Sequence, residues 1–283
     1  MTFGSTVALG ALAGLTIYLG LPVGRLQLLS TRARVGLAMF SVGILAFIFV
    51  DVLSHGSEIV EEALTGFRAG RRSFGAVLGL TALLGAGFTF GSAGLGIIER
   101  RLRPKAPPPP LAGGSAEATL DPAQLALLQG HARRRALQTG MVIAAAIGLH
   151  NFAEGLAIGV SARAGAISLA TVLIVGFALH NATEGFGIVG PLGDVVPSWR
   201  WLATAGLVGG GPTFLGALVG FQVTSAPLEL AFYGVAGGAI LYVIGEIWQG
   251  MRRYGHRELG LLLLSAGFMA GVLTDLVVAY GGG

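Results

Sequence analysis

Eight apolar runs, each long enough to cross a bilayer, leave this chain one class of fold. They lie at about Ser5–Leu26, Val35–Leu53, Phe74–Ile98, Leu137–Val160, Ile167–Gly190, Trp199–Phe221, Leu228–Gln249 and Leu259–Tyr280. In hydrocarbon every backbone N–H and C=O must bond inside the protein, and runs of roughly 20 residues match a ~30 Å core as helices. The expected fold is an all-α polytopic membrane protein, a single transmembrane domain over residues 1–283 with eight helices. Helices 1 to 3 occupy 1–98, a Pro/Gly-rich connection occupies 99–136, and helices 4 to 8 occupy 137–283. Only 11% of the residues are charged, which excludes a soluble domain, and the 48 glycines suit helices whose backbones approach closely in lipid.

Charge sets the orientation. Fourteen of the 18 Lys and Arg follow helices 1, 3, 5 and 7, from Arg25 to Arg257, and only Arg68, Arg71, Arg72 and Arg163 lie on the other side. Positive-inside bias then puts the first set in the cytoplasm and both termini outside it. The basic balance is an orientation signal and not a nucleic-acid footprint. Met1–Gly4 carries no basic residue, so the first run is expected to stay as a helix rather than be cleaved as a signal. The connection Glu99–Ala136 contains Pro107–Pro110 and Gly113-Gly114-Ser115, an extended linker composition, with a short helix predicted at Leu120–Leu128. The bilayer is the partner that the composition implies, and the small-residue faces permit a homodimer.

Runs 4 and 5 each contain a costly interruption. His150-Asn151-Phe152-Ala153-Glu154-Gly155 is repeated in type as His180-Asn181-Ala182-Thr183-Glu184-Gly185. On a helix His and Glu four apart share a face, and the Asn borders it, so each helix offers an imidazole, an amide oxygen and a carboxylate to one point. Both histidines stand about 13 residues into their runs, about 20 Å deep at ~1.5 Å per residue, near mid-membrane. The short Ser161–Ala166 turn makes the two helices adjacent and antiparallel. A carboxylate there costs roughly 2.5–3.5 kcal/mol on insertion scales, and two of them call for a shared cation. The absence of cysteine excludes thiolate sites and disfavours copper(I). Two His and two Glu make an N2O2 set suited to zinc, and with Asn or water it expands to suit iron(II), manganese or cadmium.

Further polar residues lie towards the ends of the spans. Asp51, His55 and Glu58 follow one face of helix 2, and Asp275 lies near the outer end of helix 8. They read either as an acidic entrance that concentrates cations or as solvated helix ends. Glu246, towards the inner end of helix 7, is either an exit ligand or a partner of Arg252 or Arg253.

The paired H-N-x-x-E-G phrases, the eight-run layout and the long connection before helix 4 resemble the ZIP family of divalent metal transporters, its bacterial zinc and iron permease branch in particular. The resemblance implies a mid-membrane metal site between helices 4 and 5 built from His150, Asn151, Glu154, His180, Asn181 and Glu184, with the Asn as secondary oxygen donors. It also implies that these helices move as part of one block against a more fixed wall. The chain departs from the family pattern in several places: Ala153 and Thr183 replace the usual Pro before each Glu. Thr213 stands where many members place a second-metal Glu, and Gly245-Glu246 replaces a His-Glu pair.

The function expected is transport of a divalent transition metal, zinc first, towards the cytoplasm by alternating exposure of the site, in a bacterial inner membrane. The metal is cargo, and no cofactor is expected. An enzyme is disfavoured because neither H-E-x-x-H nor paired Glu-x-x-His occurs. A sensor or structural subunit stapled by metal is the alternative.

Overall fold

The computed structural model describes residues 1–26, 29–102, 122–163, 165, 167–222 and 225–280, and among these it contains helices and no strand. The helices are α1 Phe3–Leu26, α2 Thr31–Arg68, α3 Phe74–Leu102, α4 Pro122–Arg163, α5 Ile167–Val189, α6 Trp199–Gln222, α7 Ala226–Arg252 and α8 Arg257–Tyr280. Among the described residues seven are long and apolar enough to cross a membrane, and α5, an unbroken helix of 23 residues, completes the eight expected. This is a polytopic, integral membrane protein.

Helix ends differ from the hydropathy limits for a physical reason. α2 has 38 residues and continues past Leu53 to Arg68, and α4 has 42 and begins at Pro122. Hydropathy marks only the part that sits in hydrocarbon, whereas Glu, Gln, Arg and Ala keep a helix going in water. The short helix expected at Leu120–Leu128 is thus the first stretch of α4 from Pro122 on, and α3 likewise runs through Glu99 to Leu102. The Pro107–Pro110 and Gly113–Ser115 linker lies outside the described residues. Starts follow local rules: the Ser30 and Ser73 hydroxyls accept from the N–H of Ala33 and Ala76, capping α2 and α3. Gly70, at φ 69°, closes α2 in the left-handed conformation that glycine tolerates best.

Glycine sorts the helices into two groups. Within α1, α4, α5 and α6, backbone lies on backbone: an added Cβ at Gly155 would run into the Thr213 carbonyl, at Gly216 into that of Phe152, at Gly14 into that of Gly210, and at Gly185 into that of Ile17. Within α2, α3, α7 and α8 the same holds for Gly43 against Leu264 and for Gly91 against Val235. Across the groups the approaches are looser and run through side chains, as where Gly187 faces Ile247 and Ser41, and Phe152 stacks on Phe232 at 4.6 Å. Among the seven apolar spans compared, which leave out α5, α4 is the most enclosed, with 72% of its apolar window buried, against 17% for α3 and α8, which lie at the periphery. The paired phrases therefore sit at the centre.

Gly216→Val is expected to wedge α4 from α6 and to lower stability by at least the roughly 1–3 kcal/mol of ordinary overpacking, because the atoms it meets are backbone. Gly79→Ala, with open space around it, should stay within about 0.5 kcal/mol of the parent protein. Thermal unfolding of both in detergent checks the contrast.

Candidate metal centre

One helical turn separates His150 from Glu154 on α4, and the same spacing relates His180 to Glu184 on α5. Because the helices pack face to face at the phrases, all four side chains converge. Glu154 Oε1 lies 2.8 Å from His150 Nε2 and 2.5 Å from His180 Nε2. Ligand atoms of His150, His180 and Glu184 lie within 4.8 Å of one another. Glu154 and Glu184 are 4% and 1% exposed, so neither carboxylate is relieved by bulk water. Glu154 Oε2 and Glu184 Oε1 have no hydrogen-bond partner among the described residues. Two buried acids, each with an unpartnered oxygen, beside two imidazoles make a donor set that suits a divalent cation, whose charge would offset their desolvation.

The asparagines face differently. The Asn151 amide nitrogen donates to Glu184 Oε2 at 3.2 Å and to the Gly209 carbonyl of α6 at 3.0 Å. That of Asn181 donates to the Ala13 carbonyl of α1 at 3.2 Å. Thr213 is fully buried on α6.

A cavity of about 650 Å³ connects the site to one end of the bundle. His150, Glu154 and His180 line its floor, and Asp51, His55, Glu229 and Asp275 line it towards the end that carries the α2–α3 and α6–α7 connections. Glu58 is exposed and lies outside the lining, and Glu246 sits on the opposite half of α7, away from the cavity. Sequence reasoning missed Glu229; its signal is a lone acid in the first turn of an apolar run, easily taken for a helix-start residue.

On the other side of the site the chain is closed. Met39, Val42, Ile143, Ile147, Ile188, Ile240, Val243 and Ile247 form one buried cluster there. Beyond it, arginines from α1, α2 and α4 and one just after α7 hold the α5–α6 connection: Arg25 donates to Pro197 O at 2.7 Å, Arg133 to Val196 O at 3.0 Å and Arg253 to Pro191 O at 3.0 Å, and Arg34 pairs with Asp194 at 3.0 Å. Arg34 and Arg253 reach across from the α2/α7 group. So does Ser41, whose hydroxyl donates to the Thr183 carbonyl at 2.7 Å, next to Glu184.

Residues 119–244, from just before α4 into α7, match the sequence model of a family described as ZIP zinc transporter. The match contains both phrases. No curated protein matches the chain.

Glu154→Gln removes the charge between the two imidazoles. Zinc binding by the purified protein, followed by calorimetry, is expected to weaken more than about 100-fold, beyond the usual cost of losing an outer partner of a ligand.

Proposed function

We propose that this chain, whose residues 119–244 match the ZIP zinc transporter family, a family that carries divalent metal across membranes, moves zinc inward through the His150, Glu154, His180 and Glu184 site. The membrane proposed is a bacterial plasma membrane, and the arginine distribution supports an orientation with both termini and the cavity mouth outside. The observation that carries this reading is the pairing of an open and a closed side: the cavity leads to His180 from one face, while the apolar cluster and the arginine-held connection seal the other. A site that can be reached from one side only is half of an alternating-access cycle.

The two glycine-packed groups supply the moving parts. α1, α4, α5 and α6 hold the ligands among tightly interlocked backbones and travel together. α2, α3, α7 and α8 form the wall. The Arg34–Asp194, Arg253–Pro191 and Ser41–Thr183 contacts bridge the two and must part for the site to open inward. Asp51, His55, Glu229 and Asp275 form an acidic approach that raises local cation concentration. Release inside is aided by protons, which compete with the metal for the same imidazole and carboxylate lone pairs. Iron(II), manganese and cadmium fit the same donor atoms less selectively.

In liposomes holding a zinc-sensitive dye, the chain should give saturable zinc entry that Glu154→Ala and His180→Ala abolish. Binding without entry would leave a staple or sensor. Acidifying the outside should slow entry, since protons then hold the ligands on the loading side. Asp51→Asn combined with Asp275→Asn should reduce capture about tenfold at low ionic strength, and about 0.5 M salt should shrink that difference. Stopped-flow dye signals read both effects.

A further inference from the structure

The α5–α6 connection, residues 190–198, is held from two sides. Its second half belongs to the ligand-bearing group, since Arg25 of α1 and Arg133 of α4 take the carbonyls of Pro197 and Val196. Its first half is gripped by the wall. Gly190 faces Ala38 of α2, Pro191 lies where an added Cβ on Gly250 of α7 would touch it, and Asp194 pairs with Arg34. Arg253 donates to the Pro191 carbonyl, stacks its guanidinium 4.9 Å from the centre of the Tyr254 ring and donates to the Tyr254 hydroxyl at 3.1 Å. That hydroxyl rests on Gly193, where an added Cβ would collide with it; Gly193, at φ 62°, also has a backbone that other residues rarely adopt. The chain reverses directly after Tyr254 through Gly255 at φ 73° and His256 at φ 56°, two left-handed residues in succession. Val195 and Tyr254 both pack on the apolar cluster that seals this side of the site.

We infer that Arg253 and Tyr254 form a clasp that keeps the inner side shut, and that the connection opens by letting go at residues 190–194 while residues 195–198 travel with α1, α4, α5 and α6. The contacts suit a clasp that parts and re-forms. Asp194 and Arg253 are exposed, so their charges pass to water when it opens. Deeper on the same interface, the Ser41 hydroxyl that donates to Thr183 also lies 3.1 Å from the Leu37 carbonyl of its own helix, and it keeps that acceptor after separation.

The inference rests on the zinc-transport reading, since a clasp matters only where the two groups part, and its test separates the two. Ala38 is buried against Gly190, so a membrane-impermeant thiol reagent reaching Ala38→Cys in the full-length protein reports opening of the inner side; Ala157→Cys, on the cavity wall, reports the outer side. Adding Tyr254→Ala to each is expected to raise labelling of Ala38→Cys from the inner face about fivefold and to lower that of Ala157→Cys from the outer face, as a shift between two states requires. Any other pattern, including the faster labelling at both sites that a merely loosened protein would give, overturns the clasp. A second measurement serves if Tyr254→Ala does not fold. The Cβ positions of Ala38 and Gly190 stand 3.0 Å apart, within a small shift of disulfide geometry. Oxidising Ala38→Cys combined with Gly190→Cys should halt zinc entry into liposomes while zinc still binds, and reduction should restore entry. Entry that persists through the oxidised pair overturns the inference and leaves transport standing. Lack of entry in the parent protein overturns the transport reading instead, and the labelling pattern then judges the clasp alone.

Discussion

Two carboxylates buried at the centre of a hydrocarbon slab are the constraint on which this architecture depends. Glu154 is 4% exposed, at the cavity floor, and Glu184 1%, and burying isolated charges to that degree is costly. The chain answers with two imidazoles at hydrogen-bond range of one carboxylate and an amide on the other. The arrangement brings ligand atoms together without supplying enough positive charge of its own. In the proposed function a divalent cation completes it, and one held partly by such compensation would be released when the surroundings change.

Holding four side chains at one point demands rigid helices, and glycine makes them rigid. Where α4 meets α6 and α1 meets α5, backbones touch with no side chain between them, so the helices cannot slide separately without losing dense van der Waals contact. The interface between the groups is built from side chains and a few polar ties, which can re-form in another register. Close packing within and loose packing between would let one group move as a unit, as the proposed function requires. The arginines on the α5–α6 connection lie at the sealed end of that interface, where breaking two ties frees the connection from the wall.

Much of this was legible in the residues. Eight apolar runs specify eight helices because a bilayer permits little else, and the doubled His-x-x-x-Glu spacing specifies a shared face because 3.6 residues make a turn. The lengths of α2 and α4 were not legible, since Glu61 or Arg134 continues a helix in water as well as ending a hydrophobic run. Glu229 escaped notice because its meaning depends on Asp51 and Asp275, distant in the chain and close in the fold. The asparagine roles were illegible for a subtler reason. An amide presents a donor and an acceptor, and only the carbonyls of Gly209 and Ala13, on helices distant in the chain, decide that each NH2 is the end tied to backbone.

The central claim is that the paired phrases form one site reached from a single side at a time. The chain has no cysteine, so a single Ala157→Cys on the cavity wall gives an unambiguous probe. Its labelling by a membrane-impermeant thiol reagent, applied to each face of oriented membranes with and without zinc, is the most direct measurement. The account predicts rapid labelling from the outer face only, and a change in that rate when zinc saturates the site. Equal labelling from both faces at once, or labelling indifferent to zinc, would contradict it.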